Sequence, residues 1–380
     1  MKFHAVWLTL SLFIAASPPV RAQELTPGEE PFSGGEVCAP DAYLIEPGDC
    51  LPLGPSVYLT ALARFGLTLP PRPLPAYNPS PELTQVPYRY FHMADDMAPK
   101  FYPSLADAQA KSENALTYAP GFVYISYQGS DETGHFYLTQ SGYWIRGDGN
   151  RIQEYSSFQG LLFKRTPRNA FGWTFEQIPI KSAPGYGAAE TGEKLQMGTL
   201  VQVYLTDIIK DTAWNMIGPD KWIEGRKVAI VTPNTTPPEG MTGDRWIEVN
   251  LEEQTLAVYD NRELVFATMI ATGVEPFWTR PGIFQISEKK ETETMRNNDP
   301  ADFYFLENVP YTMYFDGARA LHGAYWRTRF GYPQSHGCVN LSVGDAHWLF
   351  NWAVAGDWVY VHDPSGKTPT DPALYTGGAY

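Results

Sequence analysis

The stretch "SHGCVNLSVGDAHWLF" (Ser335–Phe350) holds one of only three cysteines in a chain of 380 residues. Gly337 places a conformationally free residue directly before Cys338. A helix start follows: Ser342 has Asp345 three positions on, a capping pair with an acid in the first turn. Ala346, Leu349, Phe350, Ala353 and Val354 then recur at helical spacing, and Gly356 is placed to cap the C-terminus. Around this helix the sequence reads as strands. "WIEVN" (246–250) and "TLAVY" (255–259) alternate apolar and polar residues, and "LVFATMIATG" (264–273) follows a turn-forming "DNRE". "TRPGIFQIS" (279–287), "DFYFL" (302–306), "TMYF" (312–315), "ARALHG" (318–323) and "DWVYVH" (357–362) add more. The expected fold is mainly β, with one clear helix after Cys338 and the cysteine in a loop between strand and helix.

The first residues read as a leader. Lys2 precedes an apolar run from Ala5 to Ala16, Ser17, Pro18 and Pro19 end it, and "VRA" closes at Ala22. The run is shorter than the roughly 20 residues a membrane span needs. The expectation is a cleaved signal peptide over 1–22 and an exported chain in the periplasm or cell wall, peripheral to the envelope, with no transmembrane helix after cleavage. Lys and Arg total 28 against 42 acids, a net charge of −14, which argues against nucleic acid or an anionic membrane surface as partner. In an oxidising compartment Cys38 and Cys50, which bracket the turn-rich "VCAPDAYLIEPGDC", are expected to pair, a bridge worth up to about 3 kcal/mol. Cys338 is then left over, and an unpaired thiol outside the cell calls for a role or for burial.

Composition divides the rest. Residues 23–87 form an N-terminal disulfide-containing module and a Pro-rich linker, "LPPRPLPAYNPSPELTQVP". Residues 88–167 and 168–233 read as two small β-modules. "FYLTQSGYWIRG" (136–147) and "WNMIGPDKWIEG" (214–225) each place an aromatic eight residues before Trp-Ile-x-Gly, a repeated hairpin pattern carrying Trp144 and Trp222 as core or groove aromatics. Their spacing resembles the bacterial SH3-like barrels. Residues 234–243 are a second linker, 244–363 the C-terminal domain and 364–380 a flexible tail.

A reactive thiol needs a partner to take its proton, and histidine is the natural one near neutral pH. His336 lies two residues before Cys338 and His322 sixteen before it, and spacing alone does not rank them. Zinc would need a denser donor pattern than His322, His336, Cys338 and His347 supply, since no CxxC or HExxH motif is present. His347, on the helix, reads as structural or surface. A papain-like order, with the cysteine near the mature N-terminus and the histidine far downstream, is the reverse of this one.

"LHGAYWRTRFGYPQSHGCVNL" (321–341) resembles the active-site signature of the L,D-transpeptidases: a His-Gly, a loop, then Ser-His-Gly-Cys, a hydrophobic residue and Asn. The strand order before it and the capped helix after it are similar as well, over about 120 residues. Arg327 departs from the pattern, standing where related sequences often carry a second histidine, and bears on the loop or on substrate preference rather than on the nucleophile.

The resemblance implies a thiol acyltransferase acting on peptidoglycan stem peptides without a metal or cofactor. Cys338 is then the nucleophile, His322 the general base and acid, and the Gly323 carbonyl the group that orients His322. Amides near Gly337 and Cys338 form the oxyanion hole, and Ser335, His336 and Asn340 shape the site and contact substrate. It also implies transfer of a tetrapeptide acyl group to another stem's amine, giving a 3→3 crosslink, and sensitivity to carbapenems. Hydrolysis at the same site, as an L,D-carboxypeptidase, and a non-catalytic wall-binding protein are the alternatives.

Overall fold

The structure is a computed structural model, and it describes residues 65–67, 72–96, 98–148 and 151–375. The expected signal peptide and the Cys38–Cys50 bridge lie outside the described residues. Two large sheets organise the molecule. One has seven strands in the order Ala76–Tyr77, Leu161–Phe163, Glu263–Met269, Thr255–Asp260, Trp246–Asn250, Trp358–His362, Gly282–Gln285. The other has nine. Its main path runs Val339–Leu341, Arg319–Gly323, Tyr304–Asp316, Phe122–Ser130, Arg89–His92, Arg151–Gln153, with Glu288–Asn297 paired to Tyr304–Asp316.

Side-chain alternation along each strand explains why these sheets stack. Successive strand residues point to opposite faces. In the seven-stranded sheet Ile247, Val249, Leu256, Val258, Val359 and Val361 face the nine-stranded sheet, meeting Met313, Phe315, Leu321, Val339 and Leu341 in one core. The intervening Trp246, Ala257 and Tyr259 face the other way, into a second core with Phe171, Trp173, Ala229 and Val231. Thr255–Tyr259 is therefore buried at every position, because both faces are covered. Each fully buried aliphatic side chain there contributes about 1.5–3 kcal/mol.

Residues 170–231 form the small unit that covers that second face. It has a three-stranded sheet (Leu200–Val203, Ala170–Thr174, Val228–Val231) and a five-stranded one (Glu190–Leu195, Ile178–Lys181, Lys221–Glu224, Thr212–Gly218, Leu205–Ile209). The hairpin expected around Trp222 is the Thr212–Gly218/Lys221–Glu224 pair, with Trp222 buried against Trp214, Tyr204 and Leu67. The matching hairpin around Trp144 pairs Phe136–Thr139 with Trp144–Arg146. It hangs from Phe122–Ser130, which itself runs parallel to Tyr304–Asp316, with Phe122 opposite Tyr304 and Leu306 opposite Tyr124. Most strands of 88–153 thus extend the sheet that leads to Cys338, while Lys100–Phe101 and Leu116–Thr117 pair as a separate two-stranded sheet.

The helix spans Val343–Trp352, with the Ser342 hydroxyl accepting from Asp345 N at 3.2 Å. Asp345 directs its carboxylate to Gly160 N at 2.8 Å and Thr268 Oγ1 at 2.5 Å, pinning an upstream loop to the helix start. Gly160 has to be small here, because a Cβ would stand 2.3 Å from Ala267 O. The helix stops two residues before its apolar stripe does. Ala353 is the C-cap, and Gly356 sits in the following turn at φ +94°. The Asp357 carboxylate ends the helix by accepting from Val354 N at 2.8 Å while it pairs with Arg245 at 2.9 Å.

Candidate active site

Strand register assembles the site. Arg319–Gly323 and Val339–Leu341 run parallel, with Leu321 opposite Val339, His322 opposite Asn340 and Gly323 opposite Leu341. Leu321, Val339 and Leu341 enter the core. The alternate residues, His322 and Asn340, share the opposite face, and Cys338, two before Asn340, has the same parity. These three line one cavity of about 290 Å³ together with Ser335 and His336. Trp326, Arg327 and Gln334 of the 324–338 loop and Phe122, Met295, Tyr304 and Leu306 complete its wall.

The loop before the cysteine is held by hydroxyls. Ser335 Oγ donates to Cys338 O at 2.6 Å and accepts from Gly337 N at 3.2 Å. Thr279 Oγ1 donates to Gly337 O at 2.9 Å and accepts from Gly273 N at 2.9 Å. Gly337 lies at φ +113°, where an L side chain is strained, and a Cβ would stand 3.2 Å from Arg319 Nε. Ser335 is buried and acts as a brace for the turn. The Gly337 amide, expected in an oxyanion hole, is engaged by Ser335 Oγ in this state.

His322 is 1% exposed, and its Nδ1 lies 3.4 Å from Gly323 O. Burial lowers its pKa to about 4, the Gly323 carbonyl opposes that, and the Arg327 charge adds to it. Cys338 is half-buried, its Sγ 3.9 Å from Ala318 O. Burial pushes the thiol up, opposed by the Ala320 backbone and the Arg319 charge. Around neutral pH the cavity therefore holds an uncharged thiol and an uncharged imidazole.

His336 turns toward the rim, with Nε2 3.1 Å from Asp302 Oδ1 and its ring beside Phe277 and Tyr304. His347 is elsewhere, stacked on Tyr311 with Nδ1 3.1 Å from Leu83 O. Among the described residues no three His, Cys, Asp or Glu side chains converge as a metal site would require. Sequence reasoning missed Phe122, Met295, Tyr304, Leu306 and Asp302. Strand pairing brings the first four to the cavity, Asp302 joins through His336, and no local motif marks them. Trp326, Arg327 and Gln334 were nearer to hand, inside the stretch already singled out.

Residues 244–361 match the YkuD family model, described as the L,D-transpeptidase catalytic domain. No curated protein sequence matches the chain. Among solved structures, an L,D-transpeptidase from Stackebrandtia nassauensis is 28% identical over 35% of this chain and 60% of its own, at TM-score 0.28. The catalytic domain of an E. faecium L,D-transpeptidase is also 28% identical, over 32% of this chain and all of that one, at TM-score 0.30. One from Mycobacterium smegmatis is 19% identical over 40% of this chain and 77% of its own, at TM-score 0.30. The family match ends one residue before the last of the C-terminal strands does, at His362, and it takes in both the His322-Gly323 strand and the Cys338 loop. Residues 244–361 of this chain are thus similar to the L,D-transpeptidase catalytic domain over the span that holds the candidate site.

Proposed function

We propose that the protein is an exported peptidoglycan L,D-transpeptidase whose nucleophile is Cys338. The observation that carries this reading is the register that puts His322 opposite Asn340 on adjacent parallel strands, with Cys338, one residue before the second strand, at the wall of the same cavity. With Nδ1–H donating to Gly323 O, His322 Nε2 is unprotonated and able to take the thiol proton. The sulfur attacks the carbonyl that joins the third-position diamino acid of a tetrapeptide stem to its terminal D-Ala. The new S–C bond forms as the carbonyl becomes an oxyanion. The C–N bond then breaks, and D-Ala leaves with the proton returned by His322. The side-chain amine of a second stem attacks the thioester, gives its proton to His322 and restores the thiol, leaving a 3→3 crosslink. Water in place of the amine would make the same site an L,D-carboxypeptidase.

The uncharged resting pair suits this sequence. A buried thiolate would be costly before substrate arrives, whereas a neutral imidazole is ready to accept the proton as the S–C bond forms. No helix among the described residues is long and apolar enough to cross a membrane. The test is incubation of the exported chain with purified stem tetrapeptide, followed by mass analysis. Crosslinked dimer plus free D-Ala is expected, and Cys338→Ala should yield neither. Tripeptide without dimer would replace transfer by hydrolysis, and turnover by Cys338→Ala would remove the nucleophile assignment.

A further inference from the structure

The cavity that holds Cys338 also holds a cation with no counter-ion among the described residues. Arg327 donates from Nε to Asn340 Oδ1 at 3.1 Å and from a terminal nitrogen to Gln334 O, both neutral acceptors. A guanidinium has five N–H donors, so these two bonds fix its plane and leave the remaining donors for another group. Among the described residues no carboxylate pairs with it. The other arginines of the domain that are withdrawn from solvent behave differently: half-buried Arg245 pairs with Asp260 and Asp357, and half-buried Arg280 and buried Arg319 share Asp316. Taking a charge out of water without an opposite charge is unfavourable, and the burial of Arg327 is strong enough to lower its pKa to about 10. A planar fork held on one side by neutral acceptors and lining an open cavity is suited to an incoming carboxylate, which it can meet with two parallel hydrogen bonds.

The geometry points to Arg327 as a carboxylate-binding residue of the donor subsite, recognising a free carboxylate of the substrate beside Cys338. This deepens the transpeptidase reading and rests on it for the identity of the ligand. A tetrapeptide stem offers two such groups near the scissile bond: the α-carboxylate of the terminal D-Ala, and a side-chain carboxylate where the third-position diamino acid carries one. Burial is the main cause of the lowered His322 pKa, and a carboxylate seated on Arg327 offsets only the smaller part that the Arg327 charge adds.

The experiment has two arms. In the first, calorimetry on the full chain carrying Cys338→Ala compares three peptides: the free-acid tetrapeptide, its C-terminal amide, and the peptide amidated at the third-residue side chain. One amide should bind about tenfold more weakly than the free acid, as expected for loss of a charge-assisted pair. Which amide does so identifies the carboxylate. Adding Arg327→Gln should shrink that discrimination to within about twofold, whereas a merely structural role would weaken acid and amide alike. Equal binding of all three peptides, or a discrimination that survives Arg327→Gln, overturns the proposal.

The second arm needs no stem peptide. Cys338 in the otherwise unaltered chain is alkylated with anionic iodoacetate and neutral iodoacetamide, and the ratio of the two rates is compared with that of Arg327→Gln. The ratio should fall severalfold in Arg327→Gln and recover in part with Arg327→Lys, which keeps a cation. An unchanged ratio overturns the carboxylate site. A lowered ratio in a protein that binds no stem peptide keeps the site and removes the transpeptidase reading.

Discussion

The two sides of Cys338 are built on opposite principles. Behind it lies a floor of buried, mutually satisfied groups: Ser335 and Thr279 bracing the loop, and Arg319 neutralised by Asp316 against Gly337. In front lies a rim of large, partly exposed side chains, Phe122, Tyr304 and Trp326, with His336 on Asp302 and Arg327 without an acid. Ser335, Thr279 and Arg319 are each engaged within the protein, so their task is geometric. The rim leaves apolar area and charge uncompensated, which is what recognition requires. Substitutions in the floor should therefore change rate and stability, and those in the rim should change substrate binding.

The largest break should come from His322→Ala, which removes the proposed base, although it also takes away a ring contact with Trp326. Acylation of Cys338 by a carbapenem, followed by intact-mass spectrometry, should slow by about 10²–10⁴-fold, while His347→Ala should have little effect. Equal slowing by both would undo the assignment of the base. Gly337→Ala should come next. It places a side chain at φ +113° with 3.2 Å to Arg319 Nε, so a loss of about 1–3 kcal/mol in denaturant unfolding is expected, with slower acylation. Unchanged stability would mean that the turn is not strained.

Acidity sharpens the comparison further. Since His322 titrates near 4 in the folded chain, the carbapenem acylation rate should fall as pH drops through about 4, not through 6.5. The sign for stability is the same. Between pH 6.5 and 4 the unfolded chain takes up a proton on this histidine that the folded chain refuses, so its contribution is lost as pH falls across that window. Asp345, raised to about 6 by burial, acts in the opposite direction, and its contribution declines as pH rises from 3.8 through 6. An acylation limb centred near 6.5 would mean that His322 is hydrated. The smallest effect belongs to the rim: Phe122→Ala should raise KM for stem peptide a few-fold with kcat and stability nearly unchanged, because Phe122 is already 39% exposed.

Much of the floor could be read from the chain. Period-two alternation marked the strands on either side of Cys338, Ser342 and Asp345 marked the helix start, and Gly337 marked a turn that no other residue fits well. Those features are local: each depends on the backbone conformation of a few consecutive residues, and residue type reports on it directly. Even there the helix end was displaced, because Asp357, engaged with Arg245, accepts from Val354 N and the chain turns before Gly356. The rim was illegible for a different reason. Phe122 reaches the cavity through a parallel pairing with Tyr304, and alternation says which face a side chain takes but not which strand lies alongside. The meaning of Arg327 was hidden in the same way. The sequence by itself determined the kind of strand, the turn before the cysteine and the presence of an arginine in the loop. Only the tertiary structure decided which strands adjoin, and with them that this arginine finds Asn340 and Gln334 but no acid among the described residues. Pairing partners and counter-ions are set by packing between segments distant along the chain, where no local preference acts.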